Sequence, residues 1–412
     1  MVLVCASLPA CAQVNYSVRF EREKSQYLLG EPVFCRFVIR NTGTQPFGFR
    51  YRTPSRTLGS DNDQEPRFVV TGAGGRRLRD PGPRPCGNPQ GSAVYGSVTL
   101  PPGQVHTERW LLNQWAQFEA PGTFRVRAQR HLALLALGPQ PGSLSDKPLA
   151  FALAINEIAV SIVPSTTAQV EGAFQPYVAA VRDAKNPNPS EAVVVLTSLP
   201  QPSFLDTLVA MTKPAGENRW DRRDALNSLA RLNSSASWQA LLSVLHGGGT
   251  EAAGAPGHAD DSLRSYAALL LAEKGDPSFL PALIEVAAHS SDPLRGDVLR
   301  ALGFFPDPRA YQTLFDNLHS AQVTDRMNAV LGLRNLGSKE VVPALIAALD
   351  DPEAQVRQVA DFCLQGLSGQ KFSASANSTP EQARRLAAQW HAWWRDHAAN
   401  FAPPPPTTCH DW

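Results

Sequence analysis

The chain has 412 residues with a net charge of +1, of which 43% are hydrophobic and 18% charged. That is apolar enough for a core, and poorer in charge than the ~25% of an average globular protein. Its 35 prolines exclude one long coiled coil, and beyond residue 13 no apolar run approaches the ~18 residues that cross a bilayer.

The two halves differ in charge. Residues 14–163 hold 18 Lys/Arg against 11 Asp/Glu, and residues 164–412 hold 20 against 26. The basic residues are dispersed rather than clustered, so no nucleic-acid partner is expected.

Residues 1–13 read as a truncated secretory signal: Met1 to Pro9 is apolar and Ala10-Cys11-Ala12 offers a small-x-small cleavage site. Leu8-Pro9-Ala10-Cys11 also resembles a lipobox, which would make the protein a lipoprotein through Cys11. Either reading places the protein in the periplasm or outside the cell, with no transmembrane segment after the signal. In such a compartment Cys35 and Cys86 are the one plausible disulfide pair.

Residues 14–163 alternate with period two between Gly and Pro turns, the signature of an all-β sandwich. Strands are predicted at Val14–Glu21, Val33–Arg40, Phe47–Tyr51, Arg67–Val70, Val94–Leu100, Glu108–Leu112 and Phe124–Ala128, with an apolar strand pair at Ala150–Val163. Gly72-Ala73-Gly74-Gly75 is predicted as a hairpin turn. The stretches Leu29-Gly30-Glu31-Pro32-Val33 through Asn41-Thr42-Gly43, and Pro121-Gly122-Thr123-Phe124, resemble immunoglobulin-like bacterial domains. That resemblance implies a binding or spacing module.

Residues 164–188 are predicted as a linker and capping helix. Beyond them, Arg264, Arg295, Arg326 and Arg357 recur every 31 residues, each followed three residues later by Ala267, Val298, Ala329 or Ala360. Leu283, Leu314 and Leu345 repeat with the same period. Arg222 extends the series upstream, across a Gly- and Ala-rich insertion between Gly247 and His258. Ser190–Leu199 reads as an earlier, degenerate unit.

Each unit is predicted as two short helices that bury their apolar stripes by stacking, about six units over 189–368. The recurrent arginine is expected to brace the stack by pairing with turn aspartates such as Asp276 or Asp307. This pattern resembles the HEAT repeat, in the short variety of phycobilisome-lyase-like proteins. The resemblance implies an α-solenoid that binds macromolecules, and a C-terminal all-α solenoid joined to an N-terminal all-β sandwich as the fold.

Residues 379–398, with Trp390, Trp393 and Trp394, are predicted as a capping helix, and 399–412 as a disordered Pro-rich tail. No metalloprotease, nucleophile-elbow or phosphate-loop motif is present, so no catalytic residue, metal or cofactor is expected. His246 and His258 merely bracket the insertion.

The function expected is a non-catalytic exported scaffold for a protein or peptide partner. An enzyme or lyase-like subunit, and an envelope glycan binder acting through the sandwich, stand as alternatives. Positions two and five after each arginine lie off the buried stripe. They supply the candidate contact residues Asp224, Asn227, Tyr266, Asp297, Arg300 and Asn328.

Overall fold

A computed structural model of the chain describes residues 14–52, 65–81, 95–140, 142–186, 189–213, 222–248, 258–291, 293–372 and 380–403. The expected signal, Cys86, the heart of the Gly- and Ala-rich insertion and the end of the tail lie outside these residues. Two compact units divide at Leu199–Pro200.

The first unit is built on two sheets. One carries β1 (Tyr16–Arg22), β3 (Phe34–Asn41) and β7 (Val105–Leu111) in the order β1-β3-β7. The other runs β2 (Gln26–Leu28), β9 (Leu144–Val163), β8 (Gly122–Leu137), β4 (Phe47–Arg52) and β6 (Tyr95–Leu100), with β5 (Arg67–Thr71) pairing β8. Alternation places Phe20, Phe37, Phe68, Trp110, Val126 and Val160 in one shared core. There Phe20 meets Phe37 and Phe68 with ring centroids 5.3 and 5.5 Å apart. The sheets are also stitched at one margin, where the Asn156 side chain accepts from Phe20 N and donates to Phe20 O, both at 2.8 Å.

Most predicted strands form within one or two residues of their expected ends. The expected strand pair at 150–163 is instead a single strand, β9, whose partner β8 is far longer than predicted. Their hairpin turn falls earlier, around Gly138 and Gly142, and the pairing slips between Leu134 and Leu135. That slip interrupts the period-two pattern by which the last residues of β8 would have been read as strand. The glycine run at 72–75 makes a tight turn, with Gly74 and Gly75 at φ 68° and 77°, values that favour glycine.

Cys35 is fully buried and burial pushes its thiol well up. Among the described residues it has no disulfide partner.

Helices α1 (Thr167–Arg182) and α2 (Ser190–Ser198) belong to this first unit. Thr166 and Gln169 close a capping box at the start of α1. Arg109 of β7 binds Glu23 through two nitrogens at 2.7 and 2.8 Å and also pairs with Glu191 in the first turn of α2. Gln114 donates to Ser198 Oγ at 3.1 Å. The segment read as the earliest repeat is thus tied to the sheets by charge and hydrogen bonds.

The second unit consists of helix pairs α3 (Leu205–Met211) with α4 (Arg222–Leu232), α5 (Ser235–Leu245) with α6 (His258–Lys274), α7 (Leu280–His289) with α8 (Leu294–Leu302), α9 (Pro308–Asn317) with α10 (Val323–Leu336), and α11 (Val342–Ala347) with α12 (Ala354–Ser368). The second helices of successive pairs pack on one another, α4 on α6, α6 on α8, α8 on α10 and α10 on α12. At α8 and α10 the backbones come so close that a Cβ on Gly332 would lie 2.7 Å from Leu299 O and from a Leu314 methyl. Gly337 and Gly369 end α10 and α12 in the left-handed conformation, at φ 59° and 69°.

Helix α13 (Pro380–His397) packs on α11. Its Trp390 is fully buried, stacks edge-on against Phe372 at 4.8 Å, and donates to the buried Asp361 at 2.8 Å. Trp390 therefore caps the array. Trp393 and Trp394 stay half-buried beside His397 and Phe401.

Candidate functional site

The repeat phase fixes which faces α4, α6, α8 and α10 offer. In each, the residue three after the anchoring arginine is buried without exception: Ala225, Ala267, Val298 and Ala329. With that stripe inside, positions two and five after the arginine fall on the opposite margin of each helix. Because the helices lie side by side, these positions form a row that crosses the repeats.

The arginines themselves are structural. Arg295 of α8 reaches Asp325 of α10 at 3.1 Å. Arg326 of α10 grips Asp351, just ahead of α12, with two nitrogens at 2.7 and 3.0 Å. Arg264 instead holds Leu245 O at 2.8 Å and Asp261 of its own helix at 3.2 Å, and Arg357 holds the carbonyls of Asp351 and Pro352.

Asp276 and Asp307, the acids expected as partners, are occupied locally. Each caps its own helix start by accepting from the backbone N–H two residues on, at 2.9 Å. Burial alone would raise the Asp351 carboxyl, but the bonds from Arg326 and from Glu353 N hold it below its ordinary value.

The six candidate residues fall into two clusters. On α4 and α6, Tyr266 donates its hydroxyl to Asn227 Oδ1 at 2.8 Å, and the Arg223 guanidinium lies 5.8 Å from the Tyr266 ring. Asn227 is only 7% exposed, so it acts as a support for Tyr266 rather than as a surface contact. Burial pushes the Tyr266 hydroxyl up to about 12, so it stays a donor at neutral pH. Asp224 stands beside it on α4, half-buried.

On α8 and α10, Asp297 and Arg300 pair with each other. Asn328 donates to Thr324 O at 2.8 Å and presses against Gly296, where a Cβ would collide with its amide. Asn335 donates to Arg300 O at 3.3 Å, joining the two helices.

The row continues onto α12, beyond the residues expected from the sequence. The same five-residue offset after Arg357 lands on Phe362 of α12, an exposed ring with the Arg334 guanidinium 5.5 Å from its centre. Arg334, eight residues after Arg326, extends the row by a further helical turn, while Asn335 is buried.

A separate cleft of about 430 Å³ opens among α5, α6, α7 and α8, lined by His246, Asp261, Arg264, Glu285, His289 and neighbouring residues. Its Arg264 and Asp261 already bind each other. Among the described residues no group of side chains could hold a metal ion.

Residues 250–334 match the HEAT repeats family and residues 325–351 the PBS lyase HEAT-like repeat. The helical half carries HEAT repeats. No curated protein matches the chain.

Solved structures it is similar to include a β-glucosidase from Erythrobacter marinus, at 14% identity over 36% of this chain and 16% of that one, with a TM-score of 0.18. The complex of CpcE and CpcF of phycocyanin lyase from Nostoc sp. PCC7120 shares 19% identity over 56% of this chain and 88% of that one, with a TM-score of 0.31. A designed armadillo repeat protein in complex with the peptide (KR)4 shares 16% identity over 49% and 94%, with a TM-score of 0.28. The chain thus spans about a sixth of the first of these structures and most of the other two. The HEAT repeats here are the pairs that place Tyr266, Asp297, Arg300 and Asn328 in one row.

Proposed function

We propose that the protein is an exported, non-catalytic interaction scaffold whose repeat row holds an extended segment of a protein partner. The observation that carries this reading is the row itself: polar and charged side chains at fixed repeat offsets on four adjacent helices, with Tyr266, Asp297, Arg300 and Asn328 held by hydrogen bonds or an ion pair.

Packed helices stand ~8–10 Å apart, which is about three residues of extended chain at ~3.3 Å each. Four helices therefore match a segment of roughly ten residues. Such a row offers hydroxyl, amide, carboxylate and guanidinium groups, suited to the peptide groups and mixed charges of a polar segment. No helix among the described residues is long and apolar enough to cross a membrane.

Cross-linking with mass spectrometry in the native host identifies the partner. The double variant Asp297→Arg/Arg300→Asp then tests the row. It keeps the internal ion pair but inverts the order of charge against the dipole of α8, so the melting temperature should fall only slightly while partner affinity falls at least about tenfold. Unchanged affinity in a folded variant would sink the assignment of this surface.

A further inference from the structure

The outer face of the larger sheet carries a feature the repeats do not explain. Leu149, Phe151, Leu153 and Ile155 occupy successive outward positions of β9, while the alanines between them, Ala152 and Ala154, face the core. Phe151 is 72% exposed and the other three 45–47%. Their cross-strand neighbours on β8 are Ala133 beside Phe151, His131 beside Leu153 and Gln129 beside Ile155. Small or polar neighbours leave the large side chains standing proud along ~20 Å of strand. A contiguous apolar row of this kind marks a binding surface.

Its surroundings are basic. Beyond Ile155 come Arg127 and Arg125 of β8, and Arg67 of β5 stands level with Ile155 across Gln129, all three exposed; Glu157 pairs with Arg125 at 3.7 Å. At the other end Lys147 is exposed, and Arg50 and Asp146 offset each other at 2.6 Å. Both ends of the row are thus net positive. A second copy of the same face would set like charges against each other, whereas a surface of anionic groups complements both ends.

The chain also enters the sandwich here: Tyr16, at the start of β1, donates its hydroxyl to Phe151 O at 3.1 Å.

We propose that this sheet face docks on an anionic lipid surface, with Leu149, Phe151, Leu153 and Ile155 entering the acyl boundary and Arg67, Arg125, Arg127 and Lys147 meeting the headgroups. Apolar burial and attraction to anionic lipid act together in such interfacial binding.

The test is sedimentation of the full chain with phosphatidylcholine vesicles and with vesicles that also contain phosphatidylglycerol. The protein should sediment with the anionic vesicles and only weakly with the neutral ones. Phe151→Asp, at an exposed position, should keep the melting temperature and reduce partition at least about tenfold. Arg125→Gln/Arg127→Gln should reduce binding to anionic vesicles and leave the weak binding to neutral ones unchanged. Absence of sedimentation with either vesicle, or equal binding by Phe151→Asp, would overturn the proposal. So would a dimer in analytical ultracentrifugation that Phe151→Asp disperses, since the face would then belong to a second copy.

Discussion

Arg130→Ala is expected to destabilise the sheet unit by about 3–5 kcal/mol. Arg130 and Glu108 are 2% and 8% exposed, and Arg130 Nη1 lies 2.6 Å from Glu108 Oε2. The guanidinium also sits 4.5 Å from the centre of Phe37 and 5.4 Å from that of Trp110, whose Nε1 donates to the same carboxylate at 3.2 Å. Removing the arginine leaves a carboxylate among aromatic rings, with only Trp110 and His106 beside it.

Replacing both partners by uncharged side chains of similar length, Arg130→Met/Glu108→Gln, should cost far less, because no orphaned charge remains. Urea denaturation followed by tryptophan fluorescence reads the difference, since Trp110 and Trp115 lie in this core. A loss below about 1 kcal/mol in the single variant would show that the pair is not holding the core.

The same pair sets a pH dependence. Burial alone would raise the Glu108 carboxyl, but the His106 imidazole 3.3 Å away and the hydrogen bond and charge of Arg130 outweigh it and leave the group below its ordinary value of 4.5. A depressed carboxylate contributes fully above its unfolded value, and that contribution is lost as pH falls through the folded value. Acid sensitivity of the sheet unit should therefore appear below about pH 4.5 and shrink in the double variant.

Leu314→Ala is the second large effect, expected at about 3–5 kcal/mol, the upper part of the range for such truncations. Leu314 is fully buried on α9, and its methyls fill the space where Gly332 of α10 has no side chain. The opposite wall is backbone, including Leu299 O, so it closes little of the void. Leu345→Ala, at the same repeat phase on α11, provides the comparison. The helical far-ultraviolet signal follows mainly the second unit, which holds α3 to α13. An unchanged midpoint would contradict the repeat register.

The repeat was legible because a long arginine at a fixed helical phase leaves a clear period. Its partners were not, because the acids do not share that period. Asp261 stands three residues before its arginine, Asp325 one before Arg326, and Asp351 six before Arg357. Only folding shows that each reaches a guanidinium.

The candidate row was legible by the same offset rule, except that Asn227 is buried and bonded to Tyr266, and Phe362, five residues after Arg357, carries the rule onto α12. The lipid-facing row illustrates a different limit. Alternation between Leu, Phe or Ile and Ala shows that the two faces of β9 differ, not which one is inward. Here the alanines fill the space against the opposite sheet, and the large residues point out.

The arginine bridges couple neighbouring helices in amide hydrogen exchange. Between α8 and α10, and between α10 and α12, an ion pair crosses from one repeat to the next. Between α4 and α6 the Tyr266 hydroxyl donates to Asn227 Oδ1. Opening α10 alone breaks both ionic joints at once, so α8, α10 and α12 should exchange as one cooperative block. Acid that protonates Asp351 should loosen that block and speed its exchange.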